Sequence, residues 1–364
     1  MKIKRLTAPL AIVAVAALSL TACASNESSS PATATATTSS LSGTLNGIGS
    51  SAQGVAQTTW ISGFQQNNPN VTVNYNPQGS GAGQQSFIAG SADFAGSDAA
   101  LSAAQLSSTF AGCAAGSKAI DLPVYISPIA IAYNLNGVKD LKLDANTIAG
   151  IFSGKITTWN DSAIASQNPG VTLPSTAITV VHRSDNSGTT FNFTDYLHAV
   201  APSAWPQAAS QTFPYQVGDA AKGTSGVATD IKNNQNTIGY IDESATAGMS
   251  IAQLKVGKNY VKISAQGAAD VVANSPLASG RPTHDLAIAL NRNDSSSGAW
   301  PLVLVSYLIV CQNYKTSTTA DLVKAYVDYV VSSAAQKAAN EQAGSAPLAS
   351  SLAAKVVASV STIK

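Results

Sequence analysis

The chain has 364 residues, of which 45% are hydrophobic and 11% charged, and its formal net charge is +1. Ordinary domains carry about a quarter charged residues, so this surface must be rich in Ser, Thr, Asn and Gln instead. Beyond the first few residues there is no basic stripe or polybasic run, which argues against nucleic acid as a partner.

The N-terminus reads as an export signal. Lys2, Lys4 and Arg5 precede an uncharged run from Ala8 to Leu20, and Leu20-Thr21-Ala22-Cys23 closes it as a four-residue lipobox. A positive start, an apolar middle and small residues before the cut are the layout of a secretory signal. The run is shorter than the roughly 20 apolar residues that a membrane-spanning helix needs. Residues 1–22 are therefore expected to be removed, leaving Cys23 lipidated and the protein held at the outer face of the cell membrane. Loss of the three basic residues takes the net charge from +1 to −2. Residues 23–40 are almost entirely Ala, Ser and Thr; they have nothing to bury and are expected to form a flexible tether. The folded part then begins at Leu41, with a length that suits two domains.

From there, short β-branched runs alternate with helix-like stretches, which predicts α/β layering. Asn46-Gly47-Ile48-Gly49-Ser50-Ser51-Ala52 opens a helix over Ala52 to Gln66, with Val55, Ala56, Thr59, Trp60 and Phe64 on one face. Val71 to Tyr75 reads as a strand, and Gln78-Gly79-Ser80-Gly81-Ala82-Gly83 follows it. Tyr125 to Tyr133 is a longer apolar run. Ile178 to Val181 is a strand leading into His182-Arg183-Ser184-Asp185-Asn186-Ser187-Gly188-Thr189-Thr190. Trp300 to Val310 is the second long apolar run. Thr319 to Ala339 is expected to be one amphipathic helix, with Leu322, Val323, Tyr326, Val327 and Val330 inward. Cys113 and Cys311, the pair left after lipidation, are expected to form a disulfide in an oxidising compartment and to bring the last segment onto the N-terminal domain.

Three of these segments share one design: a strand, a Gly/Ser loop, then a helix. Each offers backbone N–H groups at a helix N-terminus, where the macrodipole favours negative charge. Ser51, Ser80, Ser187 and Thr189 add hydroxyls, and Arg183 adds a planar cationic fork. One such loop is ordinary capping; three converging loops would form an anion site. His182, His198 and His284 lie far apart without metal-ligand spacing, so no metal is expected. Gly47-Ile48-Gly49-Ser50-Ser51-Ala52 fits a dinucleotide fingerprint in form, but Asn74 and Asn76 stand where the ribose-binding acid belongs, and no cofactor is expected. A G-x-S-x-G nucleophile elbow is missing.

These loops, with Ala95-Gly96-Ser97-Asp98-Ala99-Ala100-Leu101-Ser102, Ser127 to Asn134, Ile151 to Asn160 and Ile238 to Ile241, resemble the phosphate-binding lipoproteins of bacterial phosphate ABC transporters. Arg183-x-Asp185-x-Ser187-Gly188-Thr189 is the most specific part. The resemblance implies a two-lobed α/β fold of the periplasmic-binding-protein type II kind, its lobes joined by two crossing strands. Residues 41–124 and 302–364 would form the first lobe and 125–301 the second, with crossings near Leu122 to Tyr125 and Trp300 to Val303. It also implies a monomer that binds inorganic phosphate, passes it to a permease and catalyses nothing. The phosphate ligands carried over are Ser51, Ala52, Ser80, Asp98, Arg183, Ser187, Gly188 and Thr189, with Asp185 holding the arginine. Asp98 is a carboxylate aimed at an anion, useful only where the ligand brings a proton, as hydrogen phosphate does and sulfate does not. The alternatives are a binder of sulfate or molybdate, or a surface phosphohydrolase, which would want a metal cluster or an activated nucleophile.

Overall fold

The computed structural model describes residues 41–364; the signal segment, Cys23 and the tether of residues 23–40 lie outside the described residues. The described chain begins with three strand–helix pairs, β1 (Gly43–Gly49), α1 (Gly54–Asn67), β2 (Val71–Asn76), α2 (Ser80–Ile88), β3 (Phe94–Ser97) and α3 (Ala103–Leu106). The long strand β4 (Ala119–Asn134) leads to β5 (Lys142–Leu143), α4 (Ala145–Phe152), α5 (Ser162–Ala165), β6 (Thr179–Arg183) and α6 (Gly188–Val200). Then come β7 (Asp219–Ala221), α7 (Gly223–Asn233), β8 (Thr237–Asp242), β9 (Ser250–Ile251), β10 (Gln253–Val256), β11 (Asn259–Val261) and α8 (Ala265–Ala273). The chain ends with β12 (Val303–Cys311), α9 (Ser317–Val330), α10 (Ser333–Ala343) and α11 (Ser350–Val360).

Two runs without polar alternation become the middle of the sheet, because a strand covered on both faces must be apolar on both. The strand order is β2-β1-β3-β12-β4-β8-β6-β7, with β9 also on β4. β1, β2 and β3 are mutually parallel on one side; β6, β7 and β8 are parallel on the other. β4 and β12 join the two groups as antiparallel partners. β4 pairs with β12 up to Pro128 and with β8 from Ile129, so one strand serves both halves. Its proline at 123 pairs with Tyr307, beside an irregularity of register between Ser306 and Tyr307, the kind of position where a strand tolerates a missing N–H. Fifteen of the sixteen residues of β4 and all nine of β12 are buried. At roughly 1.5–3 kcal/mol for each large apolar side chain, these strands supply much of the folding free energy.

The helical expectations need two corrections. Val55 is 39% exposed; the face of α1 that packs inward is Ala56, Gln57, Trp60 and Phe64. Gln57 is accommodated because its Oε1 accepts a hydrogen bond from Tyr326 at 2.7 Å. The C-terminal helix is two helices. All five expected inward residues of α9 are buried, but Ser332 is extended and its hydroxyl accepts the N–H of Ala335, starting α10 anew. α11 has no counterpart in the sequence reading.

Cys113 and Cys311 are joined across 198 residues, and β12 ends at the bridge. The Ala114 N–H donates to the Asn313 carbonyl at 2.9 Å beside it. Peptide mapping without reductant should return the two cysteine peptides linked, and reduction should lower the melting temperature by several degrees. The chain-entropy model sets an upper bound of about 5 kcal/mol for so long a loop, and the remaining hydrogen bonds retain part of the constraint. Two alkylatable thiols in the native protein would be the contrary result.

Among the described residues no helix is long and apolar enough to cross a membrane.

Candidate functional site

The three Gly/Ser loops meet. β1 and β2 end side by side, so the turns into α1 and α2 leave from the same sheet edge; β6 delivers the turn into α6 from the other half. The close approach depends on glycine. A Cβ on Gly49, whose φ is +151°, would stand 1.9 Å from the Gly96 carbonyl oxygen. A Cβ on Gly188 would stand 2.5 Å from Ser80 Oγ and 2.6 Å from Asp98 Cβ. The Gly81 N–H donates to the Asn186 carbonyl at 3.0 Å, from one half to the other.

Asp98 lies where β3 ends, 3% exposed. Its Oδ1 accepts hydrogen bonds from Ser50 at 2.5 Å and Ser306 at 2.6 Å. Its Oδ2 has only a long contact, 3.3 Å, from the Thr189 hydroxyl. Burial raises the Asp98 carboxyl above its ordinary value, and it prevails over the hydroxyls of Ser306, Ser50 and Thr189 and the charge of Arg183. The turn beyond is anchored: the Leu101 N–H donates to the Asp121 carboxylate, and its carbonyl accepts from Arg281.

Arg183 is 4% exposed and is gripped by Asp185, whose Oδ1 accepts from Nε at 2.7 Å and whose Oδ2 accepts from Nη2 at 2.5 Å. That leaves Nη1 for another acceptor. Burial works to raise the Asp185 carboxyl, but the hydrogen bonds and charge of Arg183, with the N–H of Gly223, outweigh it and hold it below its ordinary value. The Arg183 main chain is fixed through Tyr240, whose hydroxyl accepts its N–H at 3.2 Å and meets Thr190 Oγ1 at 2.7 Å. Tyr240 stacks on Phe193 at 4.2 Å, so the loop rests on a rigid aromatic layer.

Ser80 and Ser187 are each completely buried. Ser80 Oγ accepts the Asp98 N–H at 3.1 Å and Ser187 Oγ accepts the Thr190 N–H at 3.2 Å, so each hydroxyl keeps its proton to donate. The N–H groups of Gly188 and Thr189 precede the first helical bond of α6, Phe191 to Ser187, and have no helical carbonyl to serve them. Together the loops can surround a small anion with hydroxyls, N–H groups and one guanidinium corner. Among the described residues no group of three His, Cys, Asp or Glu side chains is placed to hold a metal ion.

In the first loop both expected ligands have protein partners. The Ala52 N–H donates to Ser50 Oγ at 3.1 Å. Ser51 Oγ accepts the Thr224 N–H at 3.1 Å and shares a hydrogen bond with Thr224 Oγ1 at 3.0 Å. Ser50, completely buried, is the hydroxyl that reaches Asp98. Both serines fit a Gly-Ser-Ser junction, and a run of small residues gives no periodicity to choose between them. Ser306, Thr224 and Asn192 were also missed. Ser306 sits inside an apolar run, where one polar residue in a buried strand was a signal in its own right.

A family model described as the PBP superfamily domain matches residues 34–334. The chain is 35% identical, over the full length of both sequences, to phosphate-binding protein PstS2 of Mycobacterium bovis. It is 36% identical to phosphate-binding protein PstS 3 of Mycobacterium leprae, with 79% of each chain covered. Among solved structures it resembles the periplasmic phosphate-binding protein PfluDING bound with phosphate, with a TM-score of 0.72 and 24% identity over 87% of this chain and 93% of that one. This last likeness is one of fold, and it is the two-lobed fold of the periplasmic binding proteins.

Proposed function

The chain belongs to the PstS family of phosphate-binding proteins, and from that premise we propose that it captures inorganic phosphate outside the cytoplasm and delivers it to an ABC permease. No bond is made or broken. The observation that carries this reading is the buried Asp98 carboxylate among the three Gly/Ser loops, with Oδ2 short of donors. A cleft built only for negative charge would not hold a carboxylate there; one built for a protonated oxyanion would.

The ligand set is Ser80, Asp98, Arg183, Ser187, Gly188 and Thr189, with Asp185 orienting the guanidinium. At the first loop, Ser51 and Ala52 complete the set, and Ser50 orients Asp98. The charge-assisted hydrogen bonds of such a set satisfy phosphate oxygens with little net positive charge. On this reading residues 41–124 with 302–364 make one lobe and 125–301 the other, with the crossings near Leu122 to Tyr125 within β4 and near Trp300 to Val303, where β12 begins. The mature protein is a monomer, lipidated at Cys23 and tethered by residues 23–40 to the outer face of the membrane.

Calorimetric titration with phosphate, arsenate and sulfate tests the reading. Phosphate and arsenate should bind and sulfate should bind far more weakly; equal binding of sulfate, or turnover of a phosphate ester with added divalent metals, would overturn it. Arg183→Lys should weaken phosphate binding about 10- to 30-fold while the ligand-free melting temperature stays within a degree or two. One ammonium cannot serve both Asp185 and the anion as the fork does. Unchanged affinity would make Arg183 a purely structural partner of Asp185.

A further inference from the structure

The two halves also touch through side chains outside the ligand set. Gln84, in α2, is 1% exposed. Its Nε2 donates to Ser97 Oγ at 3.0 Å and to the Ala99 carbonyl at 2.8 Å, the two neighbours of Asp98. A carbonyl only accepts, so the amide orientation is fixed and Oε1 points the other way. There it accepts from Gln105 at 3.0 Å and, from the opposite half, from Gln211 Nε2 at 2.9 Å. The main-chain carbonyl of Gln211 accepts the N–H of Ser187, the cap of α6, at 2.9 Å. Gln211 thus joins the loop that opens α6 to the turn that carries Asp98.

Asn192 makes a second tie. Its Nδ2 donates to the Asp98 carbonyl at 2.6 Å and to the Gly188 carbonyl at 2.9 Å. Its Oδ1 accepts from Arg292 Nη2 at 2.6 Å, and Nη1 of the same buried arginine donates to the Val303 carbonyl at 2.6 Å, where β12 begins. A continuous hydrogen-bonded path therefore runs from the crossing strand to the turn at Asp98.

We propose that the Gln211–Gln84 and Asn192–Asp98 contacts form a latch that favours the closed cleft independently of the ligand, so that Gln211 and Asn192 set how long the anion stays and not which anion is chosen. The latch rests on the reading of this cleft as the phosphate site. A neutral hydrogen bond present only in the closed state shifts the closing equilibrium by about 3- to 10-fold. Gln211 is the cleaner probe. Its Oε1 is buried without a partner among the described residues, and its carbonyl to Ser187 survives truncation, so Gln211→Ala removes the tie and little else.

The experiment compares wild type, Gln211→Ala and Gln211→Glu by small-angle scattering without ligand, phosphate release kinetics and titration with phosphate and sulfate. Gln211→Ala should release phosphate about 3- to 10-fold faster with nearly unchanged association, leave the phosphate-to-sulfate ratio unchanged and enlarge the ligand-free radius of gyration. Gln211→Glu, which sets a carboxylate against Gln84 Oε1, should do so at least as strongly. Release rates like wild type in both variants, or an altered phosphate-to-sulfate ratio, would overturn the latch. A wild type that binds no phosphate would overturn the functional reading instead. In that case the scattering decides the latch by itself, since identical ligand-free profiles for all three proteins would refute it.

Discussion

Gly188→Ala is expected to bind phosphate on the order of a hundredfold more weakly, while the ligand-free protein melts at or slightly above the wild-type temperature. The backbone of Gly188 is not in the left-handed region, so alanine meets no local strain there. At the first position of α6, alanine is the better helix former by about 0.5–1 kcal/mol. The cost falls instead on closure. The new methyl would lie 2.9 Å from Asp98 Cα and 2.6 Å from its Cβ, atoms that no rotamer change can move aside. Overpacking of this kind costs about 1–3 kcal/mol, and here the opposing loop can escape it only by withdrawing. Loop and lobe would then stand apart by some tenths of an ångström, enough to lengthen every hydrogen bond shared across the cleft. Titration and differential scanning calorimetry read the two halves of this expectation separately. Wild-type affinity would show that the loops do not meet around the ligand. A lowered ligand-free melting temperature would show that Gly188 serves the fold of its own half.

Much of this was legible in the sequence, and the reasons are particular. The runs at 125–133 and 300–310 had no polar alternation, which only a doubly covered strand tolerates, and they became β4 and β12. Arg183, Asp185 and Ser187 lie close enough in sequence that one loop brings them together, and the Arg183–Asp185 pair that the resemblance implied is formed. What was illegible depended on partners distant in sequence. Val55 and Gln57 flank the apolar stripe of α1, and it is Tyr326, 269 residues away, that draws Gln57 inward and leaves Val55 outside. Ser50 and Ser51 were indistinguishable until Asp98 and Thr224 claimed one each. The break between α9 and α10 rests on one serine cap in a stretch whose apolar spacing would have continued.

Asp98→Asn should reduce the phosphate-to-sulfate affinity ratio by about a hundredfold, chiefly by improving sulfate. In the wild type, Oδ1 is saturated by the hydroxyls of Ser50 and Ser306, which leaves Oδ2 as the free face of the carboxylate. A fully ionised oxyanion would meet that face with lone pairs on both sides and no proton between them, a buried mismatch worth several kcal/mol. Hydrogen phosphate brings the proton. Burial, by raising the Asp98 carboxyl, makes it a stronger acceptor for that proton than an exposed aspartate would be. In Asp98→Asn the two serine hydroxyls keep the amide oxygen at the Oδ1 position, because each already accepts an N–H, from Ala52 at Ser50 and from Gln53 at Ser306, and directs its proton there. The NH₂ group must therefore occupy the Oδ2 position and point at the ligand as a donor. Sulfate gains a hydrogen bond where it met repulsion. Phosphate exchanges one good hydrogen bond for another and loses little. Asparagine is nearly isosteric, so cleft shape is constant, and arsenate, which also carries a proton at neutral pH, controls for size by following phosphate in both proteins. The ratio is measured by titration at one pH and one salt concentration. An unchanged ratio would mean that Asp98 does not read the proton of the ligand, and the phosphate assignment would lose its main physical support, because the Arg183 fork and the α6 N–H groups are donors that serve both anions alike.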